Sequence, residues 1–149
     1  MTAALRSSLV ALLLAAPPLV RASSGEPPVP VPLVQSGRGW LLDARLNDHV
    51  TGRFLLDTGA TSCAITPLMA GRLGLFPPTR HVEIDTAAGP LRAGVVRLRS
   101  VAVGPHRAEQ VQALVLDAIE ADLDGVIGLN FLDRFVYAID PRQALLELR

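Results

Sequence analysis

The chain has 149 residues, a hydrophobic content of 50% and a formal net charge of zero. This length suits a single domain with a packed core, and the lack of a basic excess argues against a nucleic-acid-binding surface. Only 4% of the residues are aromatic, so aliphatic side chains must fill most of the core. The single cysteine, Cys63, cannot form an internal disulfide bond, and we expect a small buried side chain rather than a reactive thiol.

Residues 1–22 have the pattern of a secretory signal peptide. Arg6 supplies a positive start, residues 9–16 form a short apolar segment, and Ala22 is a small residue before a plausible cleavage site. Eight apolar residues are too few to span a bilayer, which favours a cleaved signal over a permanent anchor. We therefore expect the protein to be exported, either to a bacterial periplasm or as a secreted protein.

Residues 23–37 are rich in proline and contain little that could build a core. A segment of this composition is typical of an extended linker or arm. The sequence therefore predicts that the folded domain begins near Arg38 and covers residues 38–149.

Two strands are predicted at the start of this domain. Between residues 40 and 46 apolar residues alternate with charged ones, which is the period of a half-buried strand. A turn at residues 47–49 follows, and the largely apolar residues 50–56 are predicted to return as the second strand.

The second predicted strand leads directly into Asp57, Thr58 and Gly59. A carboxylate placed after an apolar run is unusual, because an unpaired buried charge is costly. Gly59 allows a sharp turn with an open backbone N–H, and the Thr58 hydroxyl can both donate and accept hydrogen bonds. Together these residues can hold a carboxylate at the floor of a cleft. The same tripeptide also fits an ordinary turn at the end of a strand.

A strand and a short helix are predicted next. Residues 60–65 continue as a strand, and Thr66 followed by Pro67 has the pattern of an N-cap with proline in the first helical turn. The predicted helix runs through Leu73 and ends at Gly74.

A hairpin with small residues at its tip is predicted in the middle of the chain. Two extended runs, residues 82–86 and 91–98, are joined by Ala87, Ala88 and Gly89 with a proline after them. Such a tip is small enough to move over whatever lies beneath it.

The remaining residues add more strands and one more helical turn. Strands are predicted at residues 101–103, 111–116, 123–129, 136–139 and 144–148, with a turn of helix around residues 131–135. The predicted elements are many short strands and two short helices, without the alternation of strand and helix that builds a parallel sheet. This pattern indicates an all-β fold that is closed or barrel-like.

A second motif lies well downstream of Asp57. In residues 124–132, two apolar residues, Val126 and Ile127, precede Gly128, and a short amphipathic segment follows. The two motifs, in this order and spacing, resemble those of the retropepsin-like, single-lobed aspartic proteases over nearly all of the chain after the leader. The resemblance implies an all-β, single-lobe retropepsin-like acid protease barrel with one or two short helices.

The resemblance also implies a function, that of an aspartic endopeptidase with Asp57 as its catalytic carboxylate. Because the motif occurs once per chain, the second Asp57 must come from another copy across a two-fold axis, so a homodimer is implied. The substrate would be an extended peptide or protein. The implied support of the catalytic loop comes from Thr58, Gly59, Ala60, Ile127 and Gly128, and the implied flap over the substrate contains Ala87, Ala88 and Gly89.

The chain departs from the viral members of the family at two positions. Those members carry an arginine after the glycine of the second motif and an acid shortly after the alanine of the first. Here Leu129 and Thr61-Ser62 occupy these places. A dimer-stabilising ion pair of the viral kind is therefore not expected, and the sequence is closer to the bacterial and cellular branch.

Two other interpretations stay open. One is a non-catalytic dimeric module that keeps the fold and binds peptides, and the other is a membrane-tethered protease whose leader is not cleaved. We expect no cofactor and no metal, because His49, His81 and His106 share no ligand spacing.

Overall fold

The computed structural model of the chain describes residues 29–86 and 89–149. The predicted signal peptide, the first part of the predicted arm and the tip residues Ala87 and Ala88 lie outside the described residues. The described strands are β1 (Val31–Pro32), β2 (Val34–Ser36), β3 (Gly39–Leu46), β4 (Val50–Leu56), β5 (Cys63–Ile65), β6 (Arg80–Thr86), β7 (Gly89–Val103), β8 (His106–Val115), β9 (Gly125–Ile127), β10 (Tyr137–Asp140) and β11 (Leu145–Leu148). The two helices are α1 (Pro67–Arg72) and α2 (Leu129–Leu132).

Eight of the described strands form one sheet that closes on itself. Their order is β2-β3-β4-β9-β5-β8-β7-β6, and an additional pairing between β3 and β7 joins distant parts of the sheet. The pairs β4–β9 and β5–β8 are parallel, whereas the other pairs of this sheet are antiparallel. The predicted all-β, barrel-like fold is therefore confirmed.

The alternation in β3 explains how the core forms. Leu42, Ala44 and Leu46 point inward and are buried, while Asp43 and Arg45 on the opposite face are exposed, as the sequence predicts. Most of the buried hydrophobic residues are aliphatic, in line with the low aromatic content. Burial of these side chains is the main favourable term in the folding free energy.

The N-terminal arm belongs to the fold, so the predicted domain start near Arg38 is too late. Val31 and Leu33 are buried, and the Leu33 N–H donates to the carbonyl oxygen of Ala144 at 2.8 Å. Strand β1 adds to the edge of a three-stranded sheet of order β1-β11-β10, and β2 pairs with β3. An edge strand tolerates Pro32, because one side of its backbone needs no sheet hydrogen bonds.

Helix α1 follows the predicted pattern. The Thr66 hydroxyl oxygen accepts a hydrogen bond from the Met69 N–H at 3.1 Å, Pro67 occupies the first turn, and Gly74 has a φ of 69° just after the helix. Helix α2 begins at Leu129, two residues earlier than predicted, because it starts directly at the glycine of the second motif.

The predicted hairpin is formed by β6 and β7. These strands pair antiparallel, and their last described partners are Thr86 and Gly89. Strand β7 runs on to Val103 as one strand, where the sequence predicts two. None of the helices formed by residues 29–86 and 89–149 is long and apolar enough to cross a membrane.

Candidate active site

Asp57 directly follows β4 and is held by the backbone of a neighbouring strand. Strands β4 and β9 run parallel, with Leu56 beside Ile127, and the Asp57 N–H donates to the Ile127 carbonyl oxygen at 3.0 Å. The Asp57 Oδ1 atom accepts a hydrogen bond from the Gly59 N–H at 2.8 Å. These contacts fix the direction of the carboxylate with backbone groups alone, and Asp57 itself is only partly buried.

Gly128 packs against the backbone of residues 57–62, which we call the catalytic loop. A Cβ atom added to Gly128 would lie 2.6 Å from the Ser62 carbonyl oxygen and 2.8 Å from that of Ala60. The backbone conformation of Gly128, with a φ of −106°, is open to any residue, so lack of space is what requires glycine here. The Leu129 N–H also donates to the Ala60 carbonyl oxygen at 2.8 Å.

Asn130 is a supporting residue that the sequence analysis missed. Its Oδ1 atom accepts a hydrogen bond from the Cys63 N–H at 2.9 Å, and its Nδ2 atom donates to the Gln112 carbonyl oxygen at 2.8 Å. Its own N–H donates to the Thr61 carbonyl oxygen at 3.1 Å. Asn130 thus ties the end of the catalytic loop to β8. The sequence feature that could have indicated this role is the polar amide of Asn130 among the apolar residues of α2.

Cys63 lies under the catalytic loop as a small buried side chain, as expected. It is 2% exposed, and its Sγ atom accepts the Gly128 N–H at 3.5 Å. Burial raises the pKa of the Cys63 thiol, so the reactive thiolate is disfavoured. Thr58, in contrast, lies at the exposed tip of the loop.

A groove runs between the catalytic loop and the hairpin. Its floor is a row of cross-strand neighbours, Leu55, Val126, Ala64 and Leu114, whose positions follow from the strand registers. The part of the groove beside Asp57, which we call the inner compartment, has a volume of about 630 Å³. Ile84, Asp85 and Thr86 of β6 line it from the hairpin side.

An adjoining part of the groove, the outer compartment, has a volume of about 440 Å³. The two compartments share Thr86, Leu116 and Val126, so they lie side by side along the groove. Gly89 lines the outer compartment, whereas the other two predicted flap residues are not described. The remaining residues that line the outer compartment are Leu55, Pro90, Leu91, Ala118, Ile119, Glu120 and Leu123.

An ion-pair cluster lies at the edge of the outer compartment. Arg38, in the turn between β2 and β3, donates from Nη1 and Nη2 to the two carboxylate oxygens of Asp122, each at 3.0 Å. Arg38 also forms an ion pair with Glu120. The hydrogen bonds with Arg38 lower the pKa of Asp122, and those with Asp122 raise the pKa of Arg38.

A metal centre is not apparent in the part of the chain that the structure describes. No group of three or more histidine, cysteine, aspartate and glutamate side chains there is arranged to hold a metal ion. The chemistry that the described groove offers is that of the Asp57 carboxylate beside an apolar channel.

Comparisons with known proteins agree with this geometry. A family model described as aspartyl protease matches residues 42–131, a stretch that includes Asp57 and Gly128. A crystal structure of a retropepsin-like aspartic protease from Rickettsia conorii is similar, with a TM-score of 0.60 and 27% sequence identity. The similarity covers 80% of this chain and 88% of that one.

The chain is also similar to a curated protein of Sinorhizobium sp. described as "Uncharacterized protein in cobV 5'region". The two sequences are 33% identical over 104 residues, which cover 62% of this chain and 44% of the relative. The chain thus matches less than half of the length of this relative.

Proposed function

The chain belongs to the aspartyl protease family and has a retropepsin-like fold, and we propose that it is an aspartic endopeptidase whose catalytic residue is Asp57. The observation that carries the proposal is the placement of the Asp57 carboxylate. Backbone groups of Gly59 and Ile127 orient it, and it lines a groove compartment of about 630 Å³. A fixed carboxylate beside such a groove suits general acid–base chemistry.

The active form is proposed to be a homodimer. Peptide-bond hydrolysis without a metal or a covalent intermediate needs one group to accept a proton from water and another to protonate the departing nitrogen. The chain carries one Asp-Thr-Gly sequence, so the second carboxylate is supplied by Asp57 of another copy. The exposure of Thr58 and Gly59 supports this assembly, because the loop tip is available for contact with a partner.

The paired carboxylates share one proton, since two like charges this close cannot both ionise. In the proposed reaction the ionised carboxylate removes a proton from a water molecule, and the water oxygen bonds to the carbonyl carbon of the peptide. The protonated carboxyl donates its proton to the carbonyl oxygen of the peptide. In the collapse of this tetrahedral intermediate, the carboxyl that took the proton from water passes it to the nitrogen, and the other carboxylate takes a proton from a hydroxyl of the intermediate. The carbon–nitrogen bond breaks, the amine and the carboxylic acid leave, and the pair again holds one proton.

The location of the enzyme is proposed from the leader alone. Residues 1–22 favour export, so we propose that the protein acts in a periplasm or outside the cell. Sequencing the N-terminus of the mature protein tests this proposal. A mature chain that begins near Ser23 supports a cleaved signal, whereas retention of Met1 in a membrane fraction supports the tethered form.

The function is tested by digesting a randomised peptide library with the purified mature protein at acid and neutral pH. We expect cleavage by the wild type, faster on the acid side where the singly protonated pair is populated. Asp57→Asn should lower the cleavage rate by about a thousandfold or more without unfolding the protein. The reason is that an amide neither activates water nor holds the shared proton.

Asp43→Asn is a matched control for this experiment. Asp43 is an exposed aspartate on β3 that lines neither compartment of the groove, so its replacement should leave the cleavage rate unchanged. Cleavage by Asp57→Asn at the wild-type rate would contradict the assignment. Peptide binding without cleavage by the wild type would instead support the non-catalytic module.

A further inference from the structure

The described residues that line the outer compartment are mostly apolar and include one carboxylate. Glu120 is the single charged residue among the described residues that line it, whereas Leu55, Ile119 and Leu123 supply aliphatic surface. A free carboxylate at this place would attract a basic side chain of a bound peptide. Glu120 is not free, because Arg38 forms an ion pair with it.

Arg38 is held in place by a second carboxylate. Its two Nη atoms donate to both oxygens of Asp122, a bidentate arrangement that fixes the plane of the guanidinium group. The Arg38 side chain is 36% exposed, compared with 63% for Asp122. Asp122 thus orients Arg38, and Arg38 in turn stays against Glu120.

The position of Arg38 links this cluster to the groove floor. The next residue, Gly39, begins β3 and lies against Leu55, since a Cβ atom added there would be 3.6 Å from the Leu55 Cδ1 atom. The β2–β3 turn therefore sits beside the outer compartment. A change at Arg38 alters the charge at this edge without touching Asp57 or the catalytic loop.

We propose that Arg38 is a specificity-determining residue, which neutralises Glu120 and so makes the outer compartment select an uncharged, apolar side chain of the peptide. The inference rests on the proposed function only for peptide binding, and not for cleavage. An ammonium group entering here meets a Glu120 carboxylate that is already paired with Arg38, whereas an aliphatic side chain gains from burial against Leu55, Ile119 and Leu123. Without Arg38, the unpaired Glu120 carboxylate favours lysine over an aliphatic side chain of similar shape.

The test measures binding in an Asp57→Asn background, which prevents cleavage and removes the catalytic charge, while Asp85 of the inner compartment is the same in every variant compared. The probe is a fluorescent positional-scanning octapeptide library, in which one position at a time is fixed as norleucine or lysine and the others are randomised. Fluorescence anisotropy gives the two affinities at each position. The informative quantity is their ratio, because a purely structural role of Arg38 would weaken both peptides equally.

With Arg38 intact, norleucine should bind more tightly than lysine at one position or more. Arg38→Gln should shift the ratio at that position toward lysine by about fivefold, the effect expected for one partly exposed charge at contact distance. Arg38→Lys should largely keep the original ratio, since it retains the positive charge. The double variant Arg38→Gln with Glu120→Gln should return the ratio toward its original value, because the attracting carboxylate is gone.

Arg107→Gln is the matched control. Arg107 also pairs with two carboxylates, those of Asp48 and Glu109, and is similarly exposed, but neither of these partners lines a compartment, whereas Glu120 lines the outer one. The proposal is overturned if Arg38→Gln leaves the ratio unchanged at every position, or if Arg107→Gln shifts it equally. Failure to bind any sublibrary overturns it as well, since the outer compartment would then not receive a peptide. If the binding ratios change as expected but the wild-type protein cleaves no peptide, only the proposed reaction is contradicted.

Discussion

The catalytic loop and the loop of residues 116–124, which we call the wall loop, lie at the same groove but are held in different ways. The catalytic loop is fixed by backbone hydrogen bonds from β9 and α2 and by the close approach of Gly128. The wall loop has backbone hydrogen bonds at Leu116 and Asp124, while its middle is exposed and joined to Arg38 by ion pairs.

The energetic difference between these two kinds of contact is large. An intramolecular hydrogen bond contributes about 1 kcal/mol, and leaving a buried backbone group unpaired costs more. Exposed ion pairs contribute about 0–1 kcal/mol and weaken with salt. The position of Asp57 is therefore strongly determined, whereas the mostly exposed middle of the wall loop, residues 117–122, can change its charge with little effect on folding. In the functions proposed above, the reaction and the choice of substrate depend on separately stabilised parts.

Gly128→Ala should have the largest effect on the catalytic loop. The added methyl group would lie 2.6 Å from the Ser62 carbonyl oxygen, and backbone atoms cannot move aside cheaply. We expect a loss of about 3 kcal/mol in the free energy of unfolding, together with loss of activity. Denaturant unfolding followed by circular dichroism measures the change.

Gly71→Ala is the control for this substitution. Gly71 lies in α1 with nothing within 4 Å of an added Cβ atom. Its replacement should raise stability by about 0.5–1 kcal/mol, because alanine loses less entropy in a helix. Equal effects at the two glycines would show that Gly128 is not confined by the catalytic loop.

Asn130→Ala should have an intermediate effect. It leaves the Cys63 N–H and the Gln112 carbonyl oxygen without their side-chain partner, which costs about 1–3 kcal/mol. The neighbouring Arg134 is exposed, and Arg134→Ala should change stability by less than about 0.5 kcal/mol. Thermal unfolding of both variants makes the comparison. If Asn130→Ala does not change stability, Asn130 does not support the catalytic loop.

Acid should loosen the wall loop slightly. Because Arg38, with a weaker contribution from Arg53, lowers the pKa of Asp122, the Arg38–Asp122 pair persists above the ordinary aspartate pKa. It is lost as the pH falls through the lowered value, which lies below about 3.9. Hydrogen exchange of residues 117–122, corrected for its intrinsic pH dependence, should rise only in that acid range.

Arg38→Gln provides the reference for the acid experiment. This variant has no Arg38–Asp122 pair to lose, so its hydrogen exchange at residues 117–122 should not rise in the acid range. A wall loop whose exchange is unchanged down to about pH 2 would mean that the ion pairs do not restrain it.

The sequence predicts the parts of the molecule that depend on local pattern. Alternation gives β3, and the N-cap at Thr66 gives α1. The resemblance pointed to the neighbourhood of Asp57 and Gly128, which the fold brings together. These features depend on neighbouring residues or on motifs with a defined order.

The contacts that the sequence does not reveal join distant segments. The arm looked like a linker because its prolines hide the alternation of Val31 and Leu33, whose partners lie near the other end of the chain. Arg38 and Asp122 are 84 positions apart. No local pattern specifies such a pair, because it depends on where the closed sheet places each loop.

The central claim is that two copies of Asp57 form one catalytic pair, and mixing the wild type with the Asp57→Asn protein tests it most directly. The wild-type concentration is held constant while the inactive protein is added and subunits are allowed to exchange. A shared pair predicts that activity falls as mixed dimers form, to about half at equal amounts and toward zero in large excess. Addition of Asp43→Asn should not reduce activity. If the wild-type rate stays constant at every excess of Asp57→Asn protein, each chain works alone and the shared pair does not exist.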